Sequence, residues 1–369
     1  MRALIHIGIP KSGTSSIQAF LAQNRTALSR QSILYAPFNP EFGSQFEFAT
    51  TALDACGAVI TPDLERRRLG FARPADQSAY VAAYRDWLDR QLATASETRF
   101  VASSEHIYAW LTTPAQIEAL DAFLTARFSE VRYLVYLRAQ DDLILSSYSE
   151  AIRRGATHGV TEHLARHSRW SHWSRLKHWH QVIGPKRLIV RLTQADALTG
   201  GDLLTDFCAV AGIDARGLSR PARVNASLST GEIALRRLLN RMLPVLAADG
   251  RLHPLYRFAL RALRPLMRAR PDRPRLTAQD RAAIFARNAL SNEKIRKRYF
   301  KTRPVLFDPP PDRAAGLAPD VAAGPGGAIR HGAAPDPRSG PITDARRGTD
   351  AAPSASVPDG RMRRHALSG

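Results

Sequence analysis

The stretch Gly8-Ile9-Pro10-Lys11-Ser12-Gly13-Thr14-Ser15-Ser16 carries the densest concentration of ligand-binding groups in the chain. A turn rich in glycine and hydroxyls, set between a strand and a helix, aims backbone N–H groups and a helix N-terminus at one point. That point attracts an anion. Gly13 lets the backbone approach closely, Thr14, Ser15 and Ser16 offer hydroxyls, and Lys11 adds a point charge. The order of residues separates this loop from the triphosphate loop G-x-x-x-x-G-K-[ST], where the lysine follows the second glycine. Here the lysine precedes the glycine and no Gly-Lys-Ser/Thr follows. An ATP- or GTP-dependent kinase or hydrolase is therefore disfavoured, though it stays as an alternative, as does a non-catalytic anion-binding protein.

A second constellation lies in Tyr133-Leu134-Val135-Tyr136-Leu137-Arg138, with Ser146 eight positions after the arginine. Arg138 falls at the C-terminal end of an apolar strand, where parallel α/β sheets bind ligands. Ser146 falls in the early turns of the following helix. An arginine fork with a hydroxyl suits a phosphate monoester. Taken alone, Arg138 equally suits an ion pair with Asp141 or Asp142. Ser103-Ser104-Glu105-His106 follows another short strand, so Glu105 lies at the same rim and is the candidate general base. His106 is the second candidate, expected on the other side of its helix. His6, inside the first strand, reads as a core histidine. His163, His167, His172, His178 and His180 lack regular ligand spacing and read as a surface or acceptor-side region rather than a metal site.

The elements that would position these groups follow from hydrophobic periodicity. Residues 3–9, 33–35, 100–102, 131–137 and 188–190 read as buried strands. A helix begins near Thr14, with Ile17, Phe20 and Leu21 as its stripe. Further helices cover about 76–96, 114–128, a stretch from Asp141, one carrying Trp173, Leu176 and Ile183, and 201–211 with Gly212 as its terminating glycine. Strands alternating with helices predict a parallel sheet covered on both faces. From Ser229 to about 300 the pattern is helical, opened by the Ser229/Glu232 capping-box spacing and later by Thr277/Asp280. Arginines stud this part among leucines. They read as helix exteriors in water, or as a peripheral contact with an anionic membrane or glycan.

The chain has 369 residues, 44% of them hydrophobic, and a formal charge of +20, which favours anionic partners without choosing among them. No nucleic-acid-recognition motif accompanies that charge, so nucleic acid is not expected. Met1-Arg2 leads into too short an apolar run for a secretory signal, and no run is long enough to span a membrane. Two widely spaced cysteines, Cys56 and Cys208, make neither a metal motif nor a disulfide framework. A cytoplasmic setting is expected. After Phe307 the chain turns rich in Ala, Pro, Gly and Arg, and residues 309–369 are expected to be a disordered tail behind a catalytic domain at 1–308.

Pro10-Lys11-Ser12-Gly13-Thr14-Ser15 resembles the 5′-phosphosulfate loop of the sulfotransferase family, usually Pro-Lys-Ser/Thr-Gly-Thr-Thr. The one departure is Ser15, which keeps a hydroxyl. The spacing of Arg138 and Ser146 resembles that family's 3′-phosphate site. Weaker likenesses run through Trp179–Gly184, the strand at 188–190 and the Gly200–Gly212 helix, which resemble the middle of bacterial members. Val224-Asn225-Ala226-Ser227-Leu228-Ser229 resembles a linker into C-terminal helices. Ser291–Arg296 with Tyr299-Phe300 resembles a donor-covering segment, with Arg296 or Lys297 near the donor phosphate. The resemblance implies a three-layer, P-loop NTPase-like α/β fold and a transferase of sulfur-containing groups. Its donor would be 3′-phosphoadenylyl sulfate (PAPS), bound by Lys11, Ser12, Gly13, Thr14, Ser15, Ser16, Arg138 and Ser146. Lys11 would stabilise the leaving group and Glu105 would act as base, as in carbohydrate-type members; aryl- and alcohol-type members use a histidine there. No compact carboxylate cluster stands out, so no obligatory metal is expected. The acceptor would be a hydroxyl of a carbohydrate, glycolipid or small alcohol, in a cleft shaped by 40–80 and 155–175.

Overall fold

The computed structural model describes residues 1–39, 42–61, 63–222, 228–247, 251–268 and 272–307. The expected linker residues 224–227 and the expected disordered tail 309–369 lie outside them. Five strands form one sheet: β1 (Arg2–His6), β2 (Ile33–Leu34), β3 (Arg99–Ser103), β4 (Glu130–Leu137) and β5 (Leu188–Leu192). Their order is β2-β3-β1-β4-β5 and every pairing is parallel.

Strand alternation divides the core into two layers of side chains. Ala3 and Ile5 of β1, Phe100 and Ala102 of β3, and Tyr133, Val135 and Leu137 of β4 face one side. There they meet Leu88, Leu120, Leu124 and Trp179 from three helices, Pro74–Thr94, Pro114–Thr125 and His172–Ile183. Leu4, Val101, Leu134 and Tyr136 face the other side, against Ile17, Phe20 and Leu21 of the Thr14–Gln23 helix and Phe207 of the Leu203–Ala211 helix. Each buried Leu, Ile, Val and Phe among these contributes about 1.5–3 kcal/mol by leaving water. The expected α/β sheet with helices on both faces is therefore present.

Local signals fix several helix ends. Thr113 and Gln116 form a reciprocal capping box, as do Ser229 and Glu232, and Gly212 ends its helix at φ 64°. The segment 40–80, which shows no periodicity, holds the helices Glu47–Ala55 and Asp63–Leu69. Glu47 is buried there, and desolvation pushes its carboxyl up to about 7.

The strand order places the site. The chain leaves β1 toward β2 on one side of the sheet and leaves β4 toward β5 on the other. β1 and β4 are neighbours, so their diverging connections open a crevice between their C-terminal ends, a topological switch point. The Lys11 loop leaves β1 at this point, and Arg138 follows the last residue of β4. Among the described residues, no helix is long and apolar enough to cross a membrane.

Candidate functional site

The loop after β1 is built to leave donors unused. Lys11 has φ 69° and Gly13 φ 87°, the left-handed region that L side chains avoid. Ser12 N donates to Ile9 O at 3.1 Å, closing the turn. Ser16 and Ile17 both donate back to Gly13 O, so the amides of Thr14 and Ser15 have no intrahelical acceptor. The helix has neither a side-chain cap nor an acidic residue in its first turn. Its positive end is thus left for an external anion. A Cβ on Gly8 would stand 2.2 Å from Thr14 Oγ1, and one on Gly13 would stand 2.1 Å from Leu203 Cδ2. Gly13 therefore serves its φ and the packing of Leu203 under the turn.

Arg138 braces this loop directly: its Nη1 donates to Lys11 O at 2.8 Å. The Arg138 carbonyl is held in turn by His172 Nε2 at 2.8 Å. His172 is buried, and desolvation lowers it to about 4, so at neutral pH it is an uncharged N–H donor. The ion pair expected of Arg138 is a long one, 3.7 Å to Asp142. It leaves much of the guanidinium edge available.

These residues face one cavity of about 780 Å³. Pro10, Lys11, Gly13, Thr14, Ser15 and Ser16 line it from β1, Arg138 and Ser146 from β4 and the Gln140–Arg153 helix, and Glu105 and His106 from the helix after β3. Ser12 is the exception among the expected binding residues. It is buried at 2% exposure, its hydroxyl has no partner among the described residues, and it does not line the cavity.

Lys11 is not idle: its Nζ lies 2.8 Å from Glu150 Oε2. Arg154 and Arg153 approach the same carboxylate at 3.2 and 3.6 Å. Burial works against the Glu150 charge, but the bonds from Lys11 and Arg154 outweigh it and hold the carboxyl at about 2. Glu105 accepts from Gln18 Nε2 at 2.7 Å. His106 differs from expectation. It faces the cavity beside Glu105, with Nδ1 2.8 Å from Ser44 Oγ and its ring 4.4 Å from Trp110. Burial lowers it despite the nearby Glu105 charge, so the imidazole is neutral at pH 7.

Sequence reasoning missed Glu150, Arg153, Arg154, Glu65, Thr61 and Trp110, all in the cavity wall. Glu150 and Arg153 could have been found, because they lie four and seven positions beyond Ser146 on the same helix face. Thr61 and Glu65 come from the 40–80 segment. A second cavity of about 310 Å³ shares Pro10 and Ala109 with the first and takes Arg169, Trp170 and Arg175 from 155–175. Neither Arg169 nor Arg175 has a carboxylate partner among the described residues.

Two further expectations are corrected. Arg296 is forked on Glu293 at 2.6 and 2.8 Å, and Lys297 lies 3.5 Å from the same carboxylate; neither lines the cavity. The histidine group is not a surface region throughout, because His163 and His172 are interior. His6 is a core residue, as expected: Nδ1 meets Ser103 Oγ at 2.8 Å, Nε2 has no partner among the described residues, and burial pushes the ring down to about 3.

No family model and no curated protein matches this chain. Among solved structures, the chain is similar to a sulfotransferase from Alicyclobacillus acidocaldarius, at 15% identity, over 76% of this chain and 99% of that one, with a TM-score of 0.36. At that distance the likeness carries no chemistry across, and the activity has to be read from the residues of the cavity.

Proposed function

We propose that the protein is a sulfotransferase that moves a sulfuryl group from PAPS to an acceptor hydroxyl, on a carbohydrate or glycolipid. One observation carries the reading: the Lys11 loop and the Arg138–Ser146 pair, distant in sequence, line one cavity together with Glu105. The two cationic positions suit the two phosphate-bearing ends of one nucleotide. The cavity's size, about 780 Å³, suits a ligand of that class.

The chemistry assigned to each group is as follows. The acceptor oxygen forms a bond to sulfur in line with the bond that breaks, between sulfur and the bridging phosphate oxygen. The electron pair stays on that oxygen, where Lys11 Nζ and the loop amides stabilise the charge. The acceptor's proton passes to the Glu105 carboxylate, which Gln18 holds in place. His106, neutral and hydrogen-bonded to Ser44, orients the acceptor beside it. Thr61, Glu65 and Trp110 form the acceptor wall, an aromatic face flanked by hydrogen-bonding groups that suits a sugar ring. The setting proposed is the cytoplasm, where Cys56, exposed and unpaired, would stay reduced.

The test combines binding with transfer. Titration calorimetry should detect adenosine 3′,5′-bisphosphate. A screen of acceptor extracts with labelled donor should then give a product that Lys11→Ala and Glu105→Gln each reduce at least about a hundredfold. Absence of nucleotide binding, or full turnover by Lys11→Ala, would sink the assignment. ATP turnover that requires Mg²⁺ would replace it with a phosphotransferase.

A further inference from the structure

Most of the large apolar side chains left exposed in this protein fall in one short stretch of chain. Among the described residues, Leu238, Met242, Leu246, Leu252, Leu255, Phe258 and Leu266 lie between 238 and 266, and only Leu290 and Val305 lie elsewhere. Phe258 is 72% exposed, Met242 69%, Leu266 63% and Leu255 59%. Scattered single exposures are ordinary; a cluster of this kind marks an interaction surface.

The same stretch is strongly basic. Residues 233–271 contain nine arginines and one aspartate. Arg241, Arg257, Arg261 and Arg264 are exposed, and none has a carboxylate partner among the described residues. The Pro254–Ala262 helix shows how the two properties are combined. Tyr256 and Leu260 turn inward to pack with Leu239 and Val245. Leu255 and Phe258, three apart, share an outward apolar face, and Arg257 and Arg261, four apart, form a basic flank. A helix with apolar side chains outward between arginines is suited to lie in the plane of a lipid headgroup layer.

We infer that the helices between 230 and 268 form a docking surface for an anionic membrane. Leu255, Phe258, Met242 and Leu266 would insert among the headgroups, and Arg241, Arg257, Arg261 and Arg264 would pair with lipid phosphates. Charge complementarity selects this occupant over the others. A two-fold contact with a second copy would set these arginines against themselves. The segment 309–369, with eight arginines against six aspartates, is no anionic cover either. The surface lies close to the catalytic cavity in the fold. The Thr230–Met242 helix anchors on the Gln140–Arg153 helix and the turn after it, through Asn240 Nδ2 to Ile152 O at 2.9 Å and Ala156 O at 2.8 Å. That helix carries Ser146, Glu150 and Arg153 into the cavity wall.

The inference stands apart from the assigned chemistry, and so does its test. The full chain is sedimented with phosphatidylglycerol–phosphatidylcholine vesicles and, separately, with pure phosphatidylcholine vesicles. Binding is expected to the first only. Leu255→Ser with Phe258→Ser, and Arg257→Glu with Arg261→Glu, should each weaken it about tenfold or more. All four side chains are exposed, so the melting temperature should hold. A Phe258→Trp variant should show a blue-shifted emission with the anionic vesicles alone. Equal binding to both vesicles, binding to neither, or unweakened binding by both double variants overturns the inference. So does concentration-dependent dimerisation that the Leu255 and Phe258 substitutions abolish, or salt-sensitive binding to nucleic acid or an acidic protein without vesicle binding.

Discussion

Glu150→Gln tests the electrostatics of the cavity more sharply than removal of any cation. Glu150 holds Lys11 at 2.8 Å, with the two side chains 30% and 26% exposed. An anion that is to use the lysine must first compete with this carboxylate. A partly exposed pair is worth up to about 1 kcal/mol, and charge-assisted hydrogen bonds in drier settings about twice that. Arg153 and Arg154 lose this carboxylate in the same substitution, Arg154 keeping Glu65 at 3.7 Å, and the loss of one negative charge from the wall favours an incoming anion. A net gain of about 1–2 kcal/mol corresponds to adenosine 3′,5′-bisphosphate binding roughly five- to thirtyfold tighter. Calorimetry at fixed ionic strength reads this directly, and inorganic pyrophosphate is a second probe that does not depend on the nucleotide. The wild-type protein should also lose stability in acid through this group. Its carboxyl lies at about 2 in the fold against an ordinary 4.5, so the stabilisation is present above pH 4.5 and lost as the pH falls through 2. Glu150→Gln removes that contribution. Unchanged or weaker anion binding in Glu150→Gln would mean that the carboxylate presents Lys11 rather than restrains it, and the reasoning fails.

Arg138→Ala should weaken adenosine 3′,5′-bisphosphate at least about tenfold and erase its advantage over adenosine 5′-phosphate, because the fork and the brace on Lys11 O are lost together; a retained preference would move the 3′-phosphate elsewhere. Gly13→Ala should destabilise the fold by about 1–3 kcal/mol in denaturant melts, and adding Leu203→Ala should recover only part of it, because φ 87° stays strained; full recovery would show that only the clash matters. Asp206→Asn should cost about 3 kcal/mol, since Arg191, Tyr136 and Thr199 all converge on that buried carboxylate; a melt within experimental error of wild type would refute the network's weight.

The loop and the sheet were legible because short-range rules govern them. Strand alternation separates Ile5 from Leu4, and glycine with hydroxyls after an apolar run marks an anion turn. His106 departs from expectation for a related reason. It is the second residue of the Glu105–Trp110 helix, and neighbours in a first turn stand only about 100° apart, so both can face one rim. The resemblance places Ser12 among the donor-binding residues, but the positive φ of Lys11 turns the chain there and the Ser12 hydroxyl is buried. Thr61 and Glu65 could not be read, because the segment that carries them has no periodic pattern and reaches the cavity only through tertiary packing.

The meeting of Lys11 with Arg138 belongs to the strand order rather than to either motif. Had β4 paired beyond β3 instead of beside β1, the same two local sequences would face different crevices. Because β1 and β4 are adjacent and their connections diverge, both chain turns open into one gap. The wall of that gap holds four cations, Lys11, Arg138, Arg153 and Arg154, and three carboxylates, Glu65, Glu105 and Glu150. Each carboxylate is already engaged: Glu150 by Lys11, Glu65 by Arg154 at 3.7 Å, Glu105 by Gln18. The three sit on different elements, so displacing one need not disturb the others. An anion at the loop would take Lys11 from Glu150 and leave Glu105 with its amide partner. On the proposed reading, the cavity separates a position for charge on the leaving oxygen from a position for the departing proton, which group transfer to a hydroxyl requires. A Glu150→Gln protein that bound anions more tightly yet retained the Glu105-dependent step would show that separation in solution.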